Sequence, residues 1–210
     1  MNTKEDYHIH CNYNDHSAPD LTVENIIKRA KELNLQTIAF TEHVRESSDW
    51  TENYIEEINQ FLPTADLNVL KGFEAKILPD GNIDCPSIYL NDSYFIVASF
   101  HTKYQEKDKW YNALLKAINN DSVNVIGHLE HDHHFSLNHD EIKRIGEEVL
   151  SNGKIVEINS KYHRPPLEYL KVFIELGVSF HLGSDAHSLN EIGNFDRIKD
   201  LINFIEQSKG

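Results

Sequence analysis

The chain has 210 residues, a formal net charge of −14 at pH 7, thirteen histidines and two cysteines. The length suffices for a substantial core, so we expect a single domain over residues 1–210, and the acidic balance disfavours a protein that coats nucleic acid. The two cysteines make no disulfide framework, and there is neither an apolar leader nor an apolar run of the ~20 residues that cross a bilayer, which predicts a cytoplasmic protein without a membrane span.

Apolar runs alternate along the chain with apolar positions at helical spacing. The runs predict seven strands, at residues 7–10, 37–40, 69–73, 94–100, 123–126, 154–158 and 179–182. The helical spacing predicts helices at residues 23–33, 54–61, 110–118, 140–150, 165–176 and 195–206. A turn signal, Pro79-Asp80-Gly81-Asn82, predicts a hairpin or loop over residues 76–89. This alternation is typical of parallel strands joined by crossover helices, as in an α/β sheet or barrel.

Histidines and carboxylates gather where the predicted strands end. His8 and His10 share one face of the first strand, because alternate side chains of a strand point the same way. The other strand-end residues of this kind are His43, Glu74, His101, His128, Asp185 and His187. A single histidine at a strand end is often only a hydrogen-bonded structural residue. In a closed parallel barrel, however, all these ends meet at one rim, so the set predicts a metal site there.

The number of candidate ligands indicates more than one ion. With His16 added, the set holds seven imidazoles and two carboxylates, whereas one zinc ion takes about four ligands. We therefore expect two or three ions. Because the set contains no thiolate, Zn, Mn, Fe or Co would all suit it. Clustered ions of this kind activate water and bind phosphoryl or carbonyl groups.

The motif series resembles that of the PHP (polymerase and histidinol phosphatase) family, from residue 7 to about residue 190. The matching residues are His8-Ile9-His10, His16, Thr41-Glu42-His43, Glu74, His101, His128 and Gly183-Ser184-Asp185-Ala186-His187. Two positions depart from the common pattern: Glu42 stands where members usually carry Asp, and His16 stands where many carry Gly. We expect Glu42 to orient the site and His16 to complete it.

The resemblance implies a distorted seven-stranded (βα)7 barrel of the TIM type with three divalent ions, expected to be Zn, Mn or Fe. The first ion would be held by His8, His10, Glu74 and Asp185. The second would be held by Glu74, His101 and His128, with Glu74 bridging. The third would be held by His16, His43 and His187.

The remaining histidines receive other assignments. His131 competes with His128 as a ligand, and His128 is preferred because it directly follows a strand. His133 and His134 are interpreted as loop residues near the rim, and His181 as a packed, hydrogen-bonded residue inside the last strand.

The sequence predicts a metal-dependent phosphoesterase acting on a small phosphorylated metabolite, with histidinol phosphate as one option. Arg164, just after the sixth strand, is the first candidate for binding phosphate, and Arg45 is the second. The predicted catalytic residues are Glu74, Arg164 and Asp185, with Asp185 or a nearby histidine as donor to the leaving alcohol. The alternatives are an exonuclease or nucleotide diesterase, an amidohydrolase, and a metal-binding regulatory module without catalysis.

Overall fold

A computed structural model describes residues 1–130, 133 and 135–208 of the chain. Its strands are β1 Glu5–Ile9, β2 Thr37–Val44, β3 Asn68–Ile77, β4 Ile83–Asp84, β5 Phe95–Ser99, β6 Val125–Ile126, β7 Ile155–Asn159 and β8 Ser179–Gly183. Its α-helices are α1 Val23–Glu32, α2 Thr51–Phe61, α3 Lys107–Ile118, α4 His139–Ser151, α5 Leu167–Leu176 and α6 Lys199–Ser208.

Seven of these strands form a nearly closed parallel barrel. Neighbouring strands follow the order β1-β2-β3-β5-β6-β7-β8, and every pair along this path is parallel. The first and last strands meet where His10 N donates to Ala186 O at 3.1 Å and Asp185 N donates to His8 O at 2.9 Å. The predicted α/β architecture, a distorted (βα)7 barrel, is therefore confirmed.

The connection from β3 to β5 differs from the other crossovers. It contains β4, which pairs antiparallel with β3, and a 3-10 helix at Ser87–Tyr89. The hairpin predicted for residues 76–89 is thus present, and the strict alternation of strand and helix is interrupted there.

Two strands run further than the sequence predicted. β2 and β3 stay in register from the pair Thr37 and Asn68 to the pair Val44 and Ala75. Glu42, His43 and Glu74 therefore lie inside paired strands rather than after them. Their backbones are held by the sheet, which fixes the directions of their side chains.

The helix ends follow local chemistry. Thr22 caps α1, because its side chain accepts a hydrogen bond from Asn25 N at 3.3 Å. Asn138 and Glu141 form a reciprocal capping box at the start of α4. α5 begins at Leu167, two residues later than predicted, because Pro166 occupies the capping position. No helix in the described part of the chain is long and apolar enough to span a membrane.

Candidate metal centre

The carboxyl ends of the barrel strands bring histidines and carboxylates from across the whole sequence into one buried cluster. Its fully buried members include His8, Glu74 and Glu157 on β1, β3 and β7. The other members from the predicted set are His10, His43, His101, His128, Asp185 and His187. A cavity of about 600 Å³ opens above the cluster.

Glu74 is the centre of the cluster. Its Oε1 lies 3.0 Å from His101 Nε2 and 2.9 Å from His128 Nε2. Its Oε2 lies 2.8 Å from His43 Nδ1, 3.5 Å from His8 Nε2 and 3.6 Å from His10 Nε2. One carboxylate thus faces five imidazoles, two through Oε1 and three through Oε2.

Glu157 lies behind His8, on the side away from the cavity. Its Oε1 is 2.6 Å from His8 Nδ1, and its Oε2 accepts hydrogen bonds from His128 N at 2.7 Å and Asn159 Nδ2 at 3.1 Å. With the proton of His8 on Nδ1, the lone pair of Nε2 points into the cluster. A carboxylate in this position fixes the ring orientation of a metal-binding histidine and raises its basicity.

Two glycines make room for Glu157. A Cβ built at Gly183 would overlap Glu157 Oε1, and a Cβ built at Gly127 would lie 3.3 Å from Glu157 Oε2 and would overlap Ser99 Oγ. Gly183 and Gly127 each lie shortly before a candidate ligand, Asp185 and His128. The lack of side chains at these positions lets the carboxylate reach both strands.

Glu42 supports the opposite side of the cluster. Its Oε1 lies 3.4 Å from His10 Nδ1 and accepts hydrogen bonds from Asn14 Nδ2 and His43 N, both at 2.8 Å. Its Oε2 accepts from Cys11 N at 2.7 Å. The orienting role predicted for Glu42 remains a prediction, and these are the contacts through which it would act.

Asp185 joins the cluster to a lysine that sequence reasoning did not assign. Its Oδ1 lies 3.4 Å from His10 Nε2 and 3.2 Å from Lys161 Nζ. Lys161 Nζ also lies 3.0 Å from His187 Nδ1. Asp185 adopts a φ of 55°, in the left-handed region that is uncommon for residues other than glycine. Such backbone strain persists where the surrounding structure holds it, as at functional sites.

Burial and the charges within the cluster act together on its pKa values. Burial alone would raise the pKa of Glu74 and Asp185, but facing imidazoles hold both well below their usual range. Burial alone would lower the pKa of His10, but contacts to Asp185 and Glu42 raise it to about 9. For His43, burial and the neighbouring His10 lower the pKa to about 4. The carboxylates are therefore ionised at neutral pH and require nearby cations.

The donor set fits divalent metal ions. In the described residues, Glu74 Oε2, His43 Nδ1 and His101 Nε2 are buried and lack a hydrogen bond of acceptable geometry, although they converge on one another. His8 Nε2 and His10 Nε2 lie 3.1 Å apart. Several lone pairs therefore face one small volume, and imidazole nitrogens with carboxylate oxygens suit Zn, Mn or Fe.

Three groups of ligand atoms are close enough to hold an ion. They are His8 with His10 and Asp185, His43 with Glu74 and His101, and His10 with His43 and His187. The first group repeats three of the four ligands predicted for one ion. In the second, His43 appears where His128 was predicted, although His128 Nε2 is also 2.9 Å from Glu74. In the third, His10 appears where His16 was predicted.

The predicted residues outside these groups lie at different depths. His16 is exposed and lines the cavity, with its ring centre 6.0 Å from that of His43. Arg45 also lines the cavity. Arg164 is not among the cavity-lining residues of the described chain, and it donates through Nε to Glu130 O at 3.0 Å and through Nη1 to His163 O at 3.2 Å. Its phosphate role stays a prediction that this orientation does not favour.

The other histidines are also placed. His133 packs into the core, stacked on Phe135 at 3.9 Å and edge-on to Trp110 at 4.5 Å. His181 is packed as predicted, but neither of its ring nitrogens has a hydrogen-bond partner in the part of the chain that the structure describes. The predictions for His131 and His134 fall outside the described residues.

Sequence reasoning missed Glu157 and Lys161. Glu157 carried a signal, because it interrupts the apolar run of β7 and is one of few carboxylates inside a predicted strand. Lys161 carried only its position two residues beyond the end of β7.

Comparison with known proteins agrees with this arrangement. The profile of the PHP domain matches residues 6–161. A protein of Caldanaerobacter subterraneus named "probable phosphatase" is 29% identical over 220 residues, covering 96% of this chain and 84% of its own length. Another of that name, from Vibrio vulnificus, is 29% identical over 222 residues, covering 98% and 86%.

A solved structure from Listeria monocytogenes, described as a candidate histidinol phosphatase, has the same fold. It superposes with a TM-score of 0.70 at 18% identity and covers 90% of this chain and 97% of its own. PsfC from Pseudomonas syringae superposes with a TM-score of 0.54 at 15% identity. At these identities the likeness concerns the barrel alone.

Proposed function

This chain belongs to the PHP domain family, and we propose that it is a metal-dependent phosphatase that releases phosphate from a small phosphorylated metabolite. The observation that carries the proposal is the carboxylate of Glu74, which faces five imidazoles at the floor of an open cavity of about 600 Å³. The names of the relatives support a phosphatase, and the size of the cavity suits a small substrate.

We propose three divalent ions, with Zn, Mn or Fe as the candidates. The three groups of converging ligand atoms support this number, although two of the groups share His10 and two share His43. When bound, such ions supply charge neutralisation for a phosphoryl group and an activated water. The residues of the chain then have the tasks of binding, orienting and moving protons.

Lys161 is the residue best placed to assist the reacting phosphoryl group. Its ammonium lies 3.2 Å from Asp185 Oδ1 and lines the cavity beside His187. The positive charge of an ammonium at this point would stabilise the negative charge on the phosphoryl oxygens as it redistributes in the transition state. An ammonium group can also donate a proton, whereas the lowered pKa of Asp185 keeps that carboxylate ionised. In this proposal Lys161, rather than Asp185, donates the proton to the leaving oxygen.

A nucleic-acid substrate receives less support. The net charge of −14 opposes binding of a phosphate backbone. The cationic side chains lining the cavity in the described chain are Arg45 and Lys161, which is few for an extended backbone track. We therefore prefer a monoester of a small metabolite over a diester.

The proposal is tested with purified protein loaded separately with Mn, Zn, Fe(II) and Co. We expect phosphate release from a panel of small monoesters, and metal analysis should find three ions per chain. Release from neither monoesters nor diesters under any loading would overturn the phosphatase assignment.

The role of Lys161 is tested with Lys161→Gln, using Lys171→Gln on the exposed face of α5 as the matched control. We expect kcat to fall by about 10²-fold for Lys161→Gln, as for the loss of one transition-state donor, and to stay unchanged for the control. Full activity of Lys161→Gln would assign the charge stabilisation to other groups.

A further inference from the structure

The cavity carries positive charge on two opposite walls. Arg45 follows β2 and Lys161 follows β7. Around the barrel these strands are separated by β1 and β8 on one side and by β3, β5 and β6 on the other. The two cations therefore lie on opposite walls of the cavity.

The carboxylates that line the cavity in the described chain lie at its floor. They are Glu74 and Asp185, which are buried and enclosed by imidazoles. Above the floor, the part of a substrate that does not react would meet cations, amides and aromatic rings, and the carboxylate of Asp84 at the mouth faces Arg45.

The two cations differ in how they are held. Lys161 Nζ contacts Asp185 and His187, so it belongs to the end of the cavity where the phosphoryl group reacts. Arg45 is anchored at the mouth: Nη1 donates to Val44 O at 2.7 Å, and Nε lies 3.5 Å from Asp84 Oδ2. Its other terminal nitrogen, Nη2, takes part in neither contact, and its side chain is 41% exposed.

From this geometry we infer that the substrate is a phosphomonoester bearing a second anionic group, which Arg45 binds while the phosphoryl group occupies the floor. A guanidinium binds either a carboxylate or a phosphate through paired hydrogen bonds. The second anionic group of the substrate is therefore an oxyanion of one of these two kinds. A substrate with an ammonium group would place that group beside like charges, and the carboxylate of Asp84 at the mouth already faces Arg45. The inference rests on the proposed phosphatase function.

Matched substrates test the inference. Glycerol 3-phosphate carries a hydroxymethyl group where 3-phosphoglycerate carries a carboxylate. O-Phosphoethanolamine carries an ammonium group and is the cationic substrate. We expect kcat/KM for 3-phosphoglycerate to exceed that for glycerol 3-phosphate by about tenfold or more, the size of effect that one charge-assisted hydrogen bond gives. O-Phosphoethanolamine should be the poorest of the three. Fructose 1,6-bisphosphate against fructose 1-phosphate tells whether the second group is a phosphate instead.

Variants assign the preference to Arg45. In Arg45→Gln the preference for the doubly anionic substrate should fall to within about twofold, because the variant lacks the positive charge that binds the second anionic group. Lys103→Gln, which removes a cation from an exposed residue near the rim that does not line the cavity, should keep the wild-type preference.

The possible failures are distinguishable. If wild type prefers singly charged or cationic esters, or if Arg45→Gln keeps the full preference, the inference is wrong while the phosphatase assignment stands. If no ester releases phosphate, the phosphatase assignment itself fails. The ranking in wild type alone decides the inference should the Arg45 variant not fold.

Discussion

The two ends of the barrel interior each contain a buried histidine, and the two behave in opposite ways. His8 on β1 belongs to the cluster of histidines and carboxylates, where Glu157, Glu74 and Asp185 raise its pKa well above the ordinary value despite burial. His181 on β8 packs on Tyr7 with ring centres 4.6 Å apart and has Phe95 beside it, and burial lowers its pKa to about 4.

The comparison shows that burial alone does not make a site. Glu157 attracts both rings, but it lies 2.6 Å from His8 Nδ1, whereas burial outweighs its attraction for His181. The placement of carboxylates within hydrogen-bond distance thus turns one buried imidazole into a candidate ligand and leaves the other an inert packing residue. The predictions below act on this difference, from the largest expected effect to the smallest.

The largest effect should come from Glu74→Gln. The amide keeps the shape but loses the charge that faces five imidazoles, so the ligand set no longer bridges two cations. We expect turnover to fall by at least about 10³-fold and metal content to drop, measured by phosphate release and elemental analysis. Glu56→Gln, an exposed change on α2, is the control and should match wild type. Retention of full activity by Glu74→Gln would remove the bridging role.

Removal of metal should lower the free energy of unfolding, and the size of this loss should depend on residues at the rim end of the barrel. An ion that binds only the folded state at a free concentration of about 100 Kd adds about 2.7 kcal/mol to the free energy of unfolding. Urea unfolding with and without EDTA should therefore differ by about this amount for each bound ion in wild type. His181→Phe, at the other end, should keep the difference, whereas Glu74→Gln should lose most of it. Equal unfolding with and without EDTA would contradict a bound-metal contribution.

Glu157→Gln should weaken metal binding although Glu157 is not itself a predicted metal ligand. Carboxylates that orient ligating histidines contribute about 10- to 100-fold in metal affinity. Competition with a chromophoric chelator measures this, and Glu175→Gln on the exposed face of α5 is the matched control. An unchanged affinity would mean that His8 is oriented by packing alone.

His181 should make a small contribution to the pH dependence of the free energy of unfolding. Its folded pKa of about 4 lies below its ordinary value of 6.5, so the unfolded chain binds the extra proton in this window. Its contribution is therefore complete above about pH 6.5 and is lost as pH falls towards 4. Between pH 7.5 and 5.5, wild type should lose about 1.4 kcal/mol more than His181→Phe in urea unfolding with EDTA present. The same loss in both proteins would show that His181 is not buried as a neutral ring.

The clustering of these histidines and carboxylates was predictable because strand order dictates where they meet. Residues that end parallel barrel strands converge whatever their separation in sequence, which is why His8, Glu74 and Asp185 could be grouped from the chain alone. The distribution of these residues among individual ions could not be predicted, because His10 and His43 each belong to two groups of ligand atoms once the side chains have packed.

The loop after β7 shows why substrate residues were harder to predict. Asn159 and Arg164 pair through backbone hydrogen bonds of 2.9 and 3.3 Å, closing a short loop. Lys161 lies within this loop and faces the cavity, whereas Arg164 lies at its base and bonds to Glu130 O. The stretch from Lys161 to Arg164 contains two cationic side chains, and the sequence does not indicate which of them faces the cavity.

The glycines around Glu157 have a consequence for recognising such sites in uncharacterised genomes. Gly127 and Gly183 are spaced for the carboxylate between them, so the three positions form one unit that should change together or not at all. A search signature that joins a glycine before the histidine that follows β6, a glutamate inside β7 and a glycine before the late aspartate would select chains able to build this support. Chains that keep the histidines but replace either glycine by a larger residue would be candidates for proteins that retain the barrel and have lost the catalyst.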